Sequence, residues 1–228
     1  MGLTVAEIRK LIADEGIAPE SADIVSQGTL FTPDGEPVEY ALHHGWDPVK
    51  AYLCDKTWGV FTVQMLHFIK NQNYDEATLH KVLSEVQIDD HHWDWLAKTL
   101  HYNSEEYDWF YVMAEGYPQG ACLIYHPKPS CISSGDIFYV EYLAAAPWNR
   151  TNPMRNRAIR GVATELMRYA VNYGRNHLKL RYGFSLHAIQ RAMPYYQDLG
   201  MVRHVPADKE KLFYFEMPED LAQKLVVA

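Results

Sequence analysis

Between Asp136 and Met201 the chain reads as strand, positively charged loop, helix, strand and helix, ending in Pro194-Tyr195-Tyr196-Gln197-Asp198-Leu199-Gly200-Met201. The loop, residues 147–160, carries Arg150, Arg155, Arg157 and Arg160 and opens into a helix at Gly161-Val162-Ala163-Thr164. A strand that leads through a loop to a helix N-terminus presents unpaired N–H groups and a positive dipole end, a natural seat for phosphate. A tyrosine at the far end of the same unit, protonated at neutral pH with a pKa of roughly 10, can act as a proton donor. Together these residues could hold a phosphate-bearing cofactor and transfer a group from it.

The elements that must position them are legible from periodicity. Val5, Ile8, Leu11 and Ile12 recur at helical spacing over Thr4 to Glu15. The next stretch is turn-rich, with Thr32-Pro33-Asp34-Gly35 as a tight turn and Val38 to His43 as a short strand. From Pro48 to about Leu100 the chain reads as three helices. Val60, Val63, Leu66, Phe68 and Ile69 are expected on the buried side of the first, and Leu79, Val82, Leu83 and Val86 on one side of the second. The third is expected from Asp90 to Leu100. Asp108 to Ala114 and Ala121 to His126 read as a hairpin around Gly116-Tyr117-Pro118-Gln119-Gly120, and Ile137 to Ala145 as a third, apolar strand. Gly161 to Asn176 is a helix, Leu178 to Leu186 a strand, and Ala188 to Leu199 a helix capped by Gly200. A last hairpin, Met201 to His204 with Lys211 to Glu216, precedes a short helix after Pro218. The economical division is a mostly helical part over 1–107 and a core over 108–228, one compact α/β domain overall.

The 228 residues are 48% hydrophobic and 22% charged, enough for one generous core. A formal net charge of -8 argues against a general nucleic-acid binder. The three cysteines, Cys54, Cys122 and Cys131, show no paired spacing, so free thiols in a reducing compartment are expected. No run approaches the roughly 20 apolar residues of a membrane span, and no signal peptide is visible, so cytoplasmic residence is expected. The pairs His43-His44 and His91-His92 point apart on any regular element and lack further ligands, so no metal site is expected. Trp93, Trp95 and Trp109 are expected as core or pocket wall.

Three pieces of the C-terminal half resemble the GNAT superfamily of acyl-CoA-dependent N-acetyltransferases. Val140-Glu141-Tyr142-Leu143-Ala144-Ala145-Ala146-Pro147 is similar to the family's central strand and the turn after it. Arg160-Gly161-Val162-Ala163-Thr164-Glu165-Leu166 is similar to the end of its pyrophosphate loop and the following helix. Ala192 to Met201 is similar to its A-x-x-x-Y-x-x-x-G-F stretch. The resemblance covers roughly residues 108–217. It implies a mixed, mostly antiparallel central sheet flanked by helices, with acetyl-CoA as acyl donor and an amine as acceptor.

On that resemblance, Gly161, Val162, Ala163 and Thr164 would meet the pyrophosphate. Leu143, Ala144 and Ala145 would line the pantetheine arm, an N–H of Ala145 would polarise the thioester carbonyl, and Ala192 would lie along the cofactor. Tyr196 matches the family's general acid, with Tyr195 as its neighbour and rival about 100° round the helix. Glu141, a carboxylate amid apolar strand residues, is the candidate base or ammonium anchor, and His187 the second candidate.

Two features depart from the family pattern. The usual Arg or Gln of the phosphate motif falls on Ala158, in a loop about eight residues longer than usual, and an Asn often found before the final helix is replaced by Ile189. Arg150, Arg155, Arg157 and Arg160 would then supply the phosphate contacts, against the plain alternative of a solvated basic loop. The activity implied is acetyl transfer from acetyl-CoA to a primary amine of a small molecule or a protein. A non-catalytic acyl-CoA-binding regulator is the rival of another class, and a homodimer stays open.

Overall fold

The computed structural model describes residues 3–14 and 23–227. Among them lie α1 (Val5–Ala13), β1 (Ile24–Phe31), β2 (Pro37–His44), α2 (Pro48–Asn71), α3 (Glu76–Glu85) and α4 (Trp95–His101). The chain continues through β3 (Tyr107–Ala114), β4 (Tyr117–Pro129), β5 (Asp136–Ala145), α5 (Val162–Asn176) and β6 (Phe184–Ile189). It ends with α6 (Met193–Asp198), β7 (Val202–Arg203), β8 (Leu212–Met217) and α7 (Glu219–Val227). The described strands are hydrogen-bonded in the order β1-β2-β3-β4-β5-β6-β8-β7. The pairs β1–β2, β2–β3, β6–β8 and β7–β8 are antiparallel and β5–β6 is parallel. The fold is thus the mixed, mostly antiparallel sheet flanked by helices that the resemblance implies. No helix among the described residues is long and apolar enough to cross a membrane.

Several local expectations are corrected. The stretch expected as turns before the Thr32 turn contains β1, paired with β2 from Ile24↔His43 to Phe31↔Pro37. Part of that stretch, with Glu15 at the expected end of the first helix, lies outside the described residues. The strand expected over 178–186 runs instead over Phe184–Ile189, because Lys179 and Gly183 take positive φ (58° and 140°) and break the extended run before it. The third N-terminal helix starts at Trp95 rather than Asp90, since Asp94 is the residue whose carboxylate caps it at Ala97 N–H, 2.8 Å away.

The buried side of α2 is not the one expected, although Ile69 is buried as expected. Asp47 caps it through the N–H groups of Val49 and Lys50, both at 2.9 Å, and Pro48 occupies the first turn. Its buried stripe is Ala51, Cys54, Trp58, Phe61, Met65 and Ile69, a regular three-and-four spacing. Val60, Val63 and Leu66 are 55%, 61% and 41% exposed. The helix is apolar on both sides, and the side with the larger aromatic residues, which bury more area, turns inward. In α3 no residue is buried; only Val86 at its C-cap is.

The chain forms two compact units: Met1–Asn103 with Trp109–Ala121 and Ala144–Ala163, and Ser104–Asp108 with Cys122–Leu143 and Thr164–Ala228. In the first, α2 packs on α4, and Trp58, Trp95 and Trp109 meet edge to face at 5.5 and 6.3 Å. In the second, Phe138 stacks on Phe184 at 5.6 Å. Gly174 lets α5 close on that pair: a Cβ there would stand 3.0 Å from the Phe138 ring.

Candidate cofactor and active site

In the first unit, the arginine loop is built on a buried polar hub. Gln119 Oε1 accepts from Trp148 Nε1 at 2.8 Å and from Asn149 Nδ2 at 3.0 Å, and its carbonyl accepts Ala146 N–H at 2.8 Å. Asn149 Oδ1 then accepts Ile159 N–H at 3.0 Å, and Trp148 O accepts Ala158 N–H at 2.9 Å. Residues 148–149 and 158–159 therefore form a closed neck, and Arg150 to Arg157 bulge from it. Within the bulge, Asn152 Oδ1 fixes a turn by accepting from Met154 and Arg155 N–H, each at 3.1 Å. Beyond the neck, Arg160 N–H donates to Phe31 O at 2.9 Å, so the end of β1 fixes the entry to α5.

The four arginines have different occupations. Arg150 has a side chain only 12% exposed; it donates through Nε to Ala145 O (2.7 Å) and through Nη1 and Nη2 to both oxygens of Asp90 (2.6 and 2.5 Å). It also reaches Gln87 O at 3.2 Å, so its donors are committed within the unit. Arg155 lies over the Phe61 ring, 5.1 Å from its centroid, and Arg157 donates to Thr151 Oγ1 at 2.7 Å. Arg160 is exposed, and its guanidinium makes no ion pair or side-chain hydrogen bond among the described residues.

Gly161 follows with φ of +81°, a conformation that disfavours any side chain, and α5 begins at Val162. The first-turn N–H groups of α5, those of Val162, Ala163 and Thr164 among them, have no partner within the helix. Thr164 is exposed there, Val162 is buried, and Ala158 is half-buried at the neck. At the end of β5, Ala144 is buried and Ala145 half-buried.

In the second unit, β5 and β6 are parallel over only three pairs, Phe138↔Phe184, Tyr139↔Ser185 and Val140↔Leu186. β6 goes on to pair with β8 as far as Ile189↔Leu212, whereas Glu141, Tyr142 and Leu143 continue along β5 without a β6 partner. The strands part at Glu141. Glu141 and Leu143 are half-buried there, one strand repeat apart on the same face.

The two tyrosines of α6 separate clearly. Tyr195 is 54% exposed. Tyr196 is half-buried with its ring 6.0 Å from Phe215, and burial, with lesser contributions from Tyr195 and Cys122, pushes its hydroxyl up to about 12. It is therefore protonated throughout the neutral range. Gly200, at φ +78°, ends the helix; a Cβ there would meet Leu221 at 2.5 Å. Ala192, half-buried, stands just ahead of α6.

His187 is committed: one ring nitrogen faces the Tyr139 hydroxyl at 2.7 Å and the other Ala207 O at 2.9 Å. Burial lowers its pKa, so the imidazole is neutral at pH 7, donating to Ala207 O and accepting from Tyr139. Of the histidine pairs, His44 stacks on Phe110 and His91 bonds Ile88 O at 2.7 Å. Asp90, the partner of Arg150 from 60 residues away in sequence, gave no local signal; it stands where a helix start was expected.

No family model matches the chain, and no curated protein matches it. Solved structures do resemble it. The PaiA N-acetyltransferase from Thermoplasma acidophilum, in complex with coenzyme A, is 9% identical over 77% of this chain and 97% of its own, with a TM-score of 0.44. The Campylobacter jejuni N-acetyltransferase PseH, in complex with acetyl coenzyme A, is 16% identical over 66% and 95%, with a TM-score of 0.37. FdhC, described as a nucleotide-linked sugar GNAT, is 12% identical over 88% and 95%, with a TM-score of 0.46. With TM-scores below 0.5 at these identities, the likeness says nothing about activity.

Proposed function

We propose that this protein is a GNAT-type acyltransferase that moves an acetyl group from acetyl-CoA to a primary amine by direct attack. The observation that carries the reading is the parting of β5 from β6 after Val140↔Leu186, on a strand whose continuation leads into a left-handed glycine at the start of α5. A strand that leaves its parallel neighbour suits the amide-rich pantetheine arm, and Gly161 before a helix N-terminus suits a pyrophosphate.

Acetyl-CoA supplies the thioester: the amine nitrogen bonds to its carbonyl carbon as the carbon–sulfur bond breaks. Gly161, Val162, Ala163 and Thr164 present N–H groups to the pyrophosphate. Arg160 and Arg157 add charge-assisted bonds to its oxygens. Arg150 instead fixes the loop through Asp90, and Arg155 stays on Phe61. Leu143, Ala144 and Ala145 line the arm, with the Ala145 N–H polarising the carbonyl, and Ala192 lies along the cofactor. Glu141 takes the proton that the attacking ammonium must lose, directly or through water. Tyr196 gives its proton to the departing sulfur, a role its half-buried, fully protonated phenol suits. His187 has both ring nitrogens occupied, which favours Glu141 as base.

The test is release of free CoA thiol from acetyl-CoA in the presence of a panel of primary amines. Amine-dependent release supports the reading. Acetyl-CoA binding with no release across small-molecule and peptide amines would favour the non-catalytic acyl-CoA binder.

A further inference from the structure

The first unit contains a cavity of about 680 Å³ between α2 and the segment ahead of α4. That is the size of a small-molecule pocket, which typically combines apolar walls with a few convergent polar groups. Its walls are aromatic and mutually braced: Trp93 meets Trp95 edge to face at 5.6 Å, and Trp95 meets Trp58 at 5.5 Å.

The polar groups gather where Asp55 of α2 and Asp94 meet the N-terminus of α4. Asp94 accepts Ala97 N–H at 2.8 Å and a forked approach from Arg9 Nη2, 2.9 Å to each oxygen. Asp55 accepts Trp95 N–H at 2.7 Å and Leu96 N–H at 3.0 Å, while Arg9 reaches it only at 3.5 Å. One guanidinium thus serves two carboxylates. Arg150 and Asp90, which also line the cavity, neutralise each other. Lys56, also on the rim, is exposed and lies over the Tyr52 ring, 5.8 Å from its centroid, and Lys98 lies 5.6 Å from the Trp93 centroid. The aromatic faces around this cavity therefore already receive ammonium groups from the chain itself.

A carboxylate has about four acceptor positions; Asp55 fills two with backbone N–H groups, has the Asp94 carboxyl beside it, and has only the distant arginine as a cation. Burial, with Asp94 beside it, lifts Asp55 to about 6, as expected of a carboxylate lacking a full counter-charge. For Asp94 burial acts upward too but is overcome by the Ala97 N–H and Arg9, so it stays below the usual carboxylate range.

We propose that this cavity binds a small primary amine with an apolar, preferably aromatic, body, its ammonium group at Asp55 and its body against Trp93 and Trp95. The preference for a cation follows from the unequal pairing of Asp55, Asp94 and Arg9. The choice of an amine among cations rests on the transfer reading above.

Calorimetric titration with 2-phenylethylamine, 2-phenylethanol and 3-phenylpropanoate tests it, since the three share a body and differ in the head group. The amine is expected to bind at least about tenfold more tightly than the alcohol, the scale of a charged hydrogen bond, and the carboxylate more weakly still. Trp93→Ala is expected to weaken the amine by about fivefold or more, and Trp93→Phe to restore most of it, as stacking of a cation or ring on the wall requires. Equal binding of amine and alcohol, tighter binding of the carboxylate, no binding of any of the three up to millimolar concentration, or a Trp93→Ala protein that binds like wild type would each overturn the proposal. Acetyl-CoA titrated in parallel separates the two readings. Acetyl-CoA binding without amine binding removes the cavity proposal alone; amine binding without acetyl-CoA binding removes the transfer reading alone.

Discussion

At the scale of single residues, the proposed chemistry rests on Tyr196. The phenol is half-buried against Phe215 and its pKa is raised to about 12, so it is a donor and not a base across the working range. Tyr196→Phe is expected to leave acetyl-CoA affinity unchanged and to slow turnover by roughly tenfold or more; unchanged turnover sinks the assignment, and Tyr195→Phe is the control. In the pH profile of the proposed transfer by the wild-type protein, loss of the acid should appear only as pH approaches 12, well above the roughly 10 of a free phenol. An alkaline limb near neutrality would have to come from another group. The sequence showed that a tyrosine stood at the end of this unit, but adjacent residues on a helix cannot be told apart without knowing which side is covered. The partner of Arg150 was hidden for another reason: an ion pair across 60 residues leaves no periodic trace, and Asp90 looks like any acid before a helix. The departure at Ala158 was legible, and the structure gives it a physical setting, since the Ala158 N–H closes the neck of the loop on Trp148 O.

At the scale of elements, two pieces of backbone engineering can be tested separately. Gly161→Ala places a side chain at φ +81°, where the nearest atom, Leu30 Cδ2, is at an unstrained 3.5 Å. The cost is therefore conformational, about 1–2 kcal/mol, and weaker acetyl-CoA binding should accompany it. A fully stable variant with unaltered binding would remove Gly161 from the cofactor loop. Asp90→Ala leaves the Arg150 guanidinium largely buried without its carboxylate. Urea unfolding is expected to show a loss of about 3 kcal/mol, as for a broken buried pair, and Arg150→Lys should not substitute for the two-pronged contact. A loss below about 1 kcal/mol would class the pair with exposed ion pairs. Element existence was largely visible in advance: aromatic, β-branched and apolar runs bounded by turns gave β3, β4 and β5, and the amphipathic pattern gave α5. β1 was missed because Ile24–Phe31 contains Ser26, Gln27, Gly28 and Thr29 and has half its positions exposed and none buried, so it lacks an apolar signature. In α2 the inward side could not be chosen from periodicity, because both sides are apolar.

At the scale of the whole molecule, the chain is acidic, with a formal net charge of -8, yet it gathers four arginines in one loop after its central strand. Arg157 and Arg160 of that loop, the parted strands and the left-handed glycine together support the proposal that the protein binds acetyl-CoA. The mixed, mostly antiparallel sheet was foreseeable from the family resemblance of residues 108–217, the order of elements giving only an α/β domain. The division into two compact units was not, because it cuts through β3, β4 and β5, and periodicity reports elements but not the grouping of their ends. Of the proposed amine cavity only the tryptophans were visible, as core or pocket wall: Asp55 and Arg9 come from other stretches of chain and join Trp93 and Trp95 only when α1, α2 and α4 pack together. The most direct measurement is thermal unfolding with acetyl-CoA, CoA and ATP side by side. A ligand at about 100 times its dissociation constant stabilises by about 2.7 kcal/mol, a visible shift. Comparable shifts with acetyl-CoA and CoA and little with ATP are the predicted result; no shift with either coenzyme form, or a larger one with ATP, would contradict it.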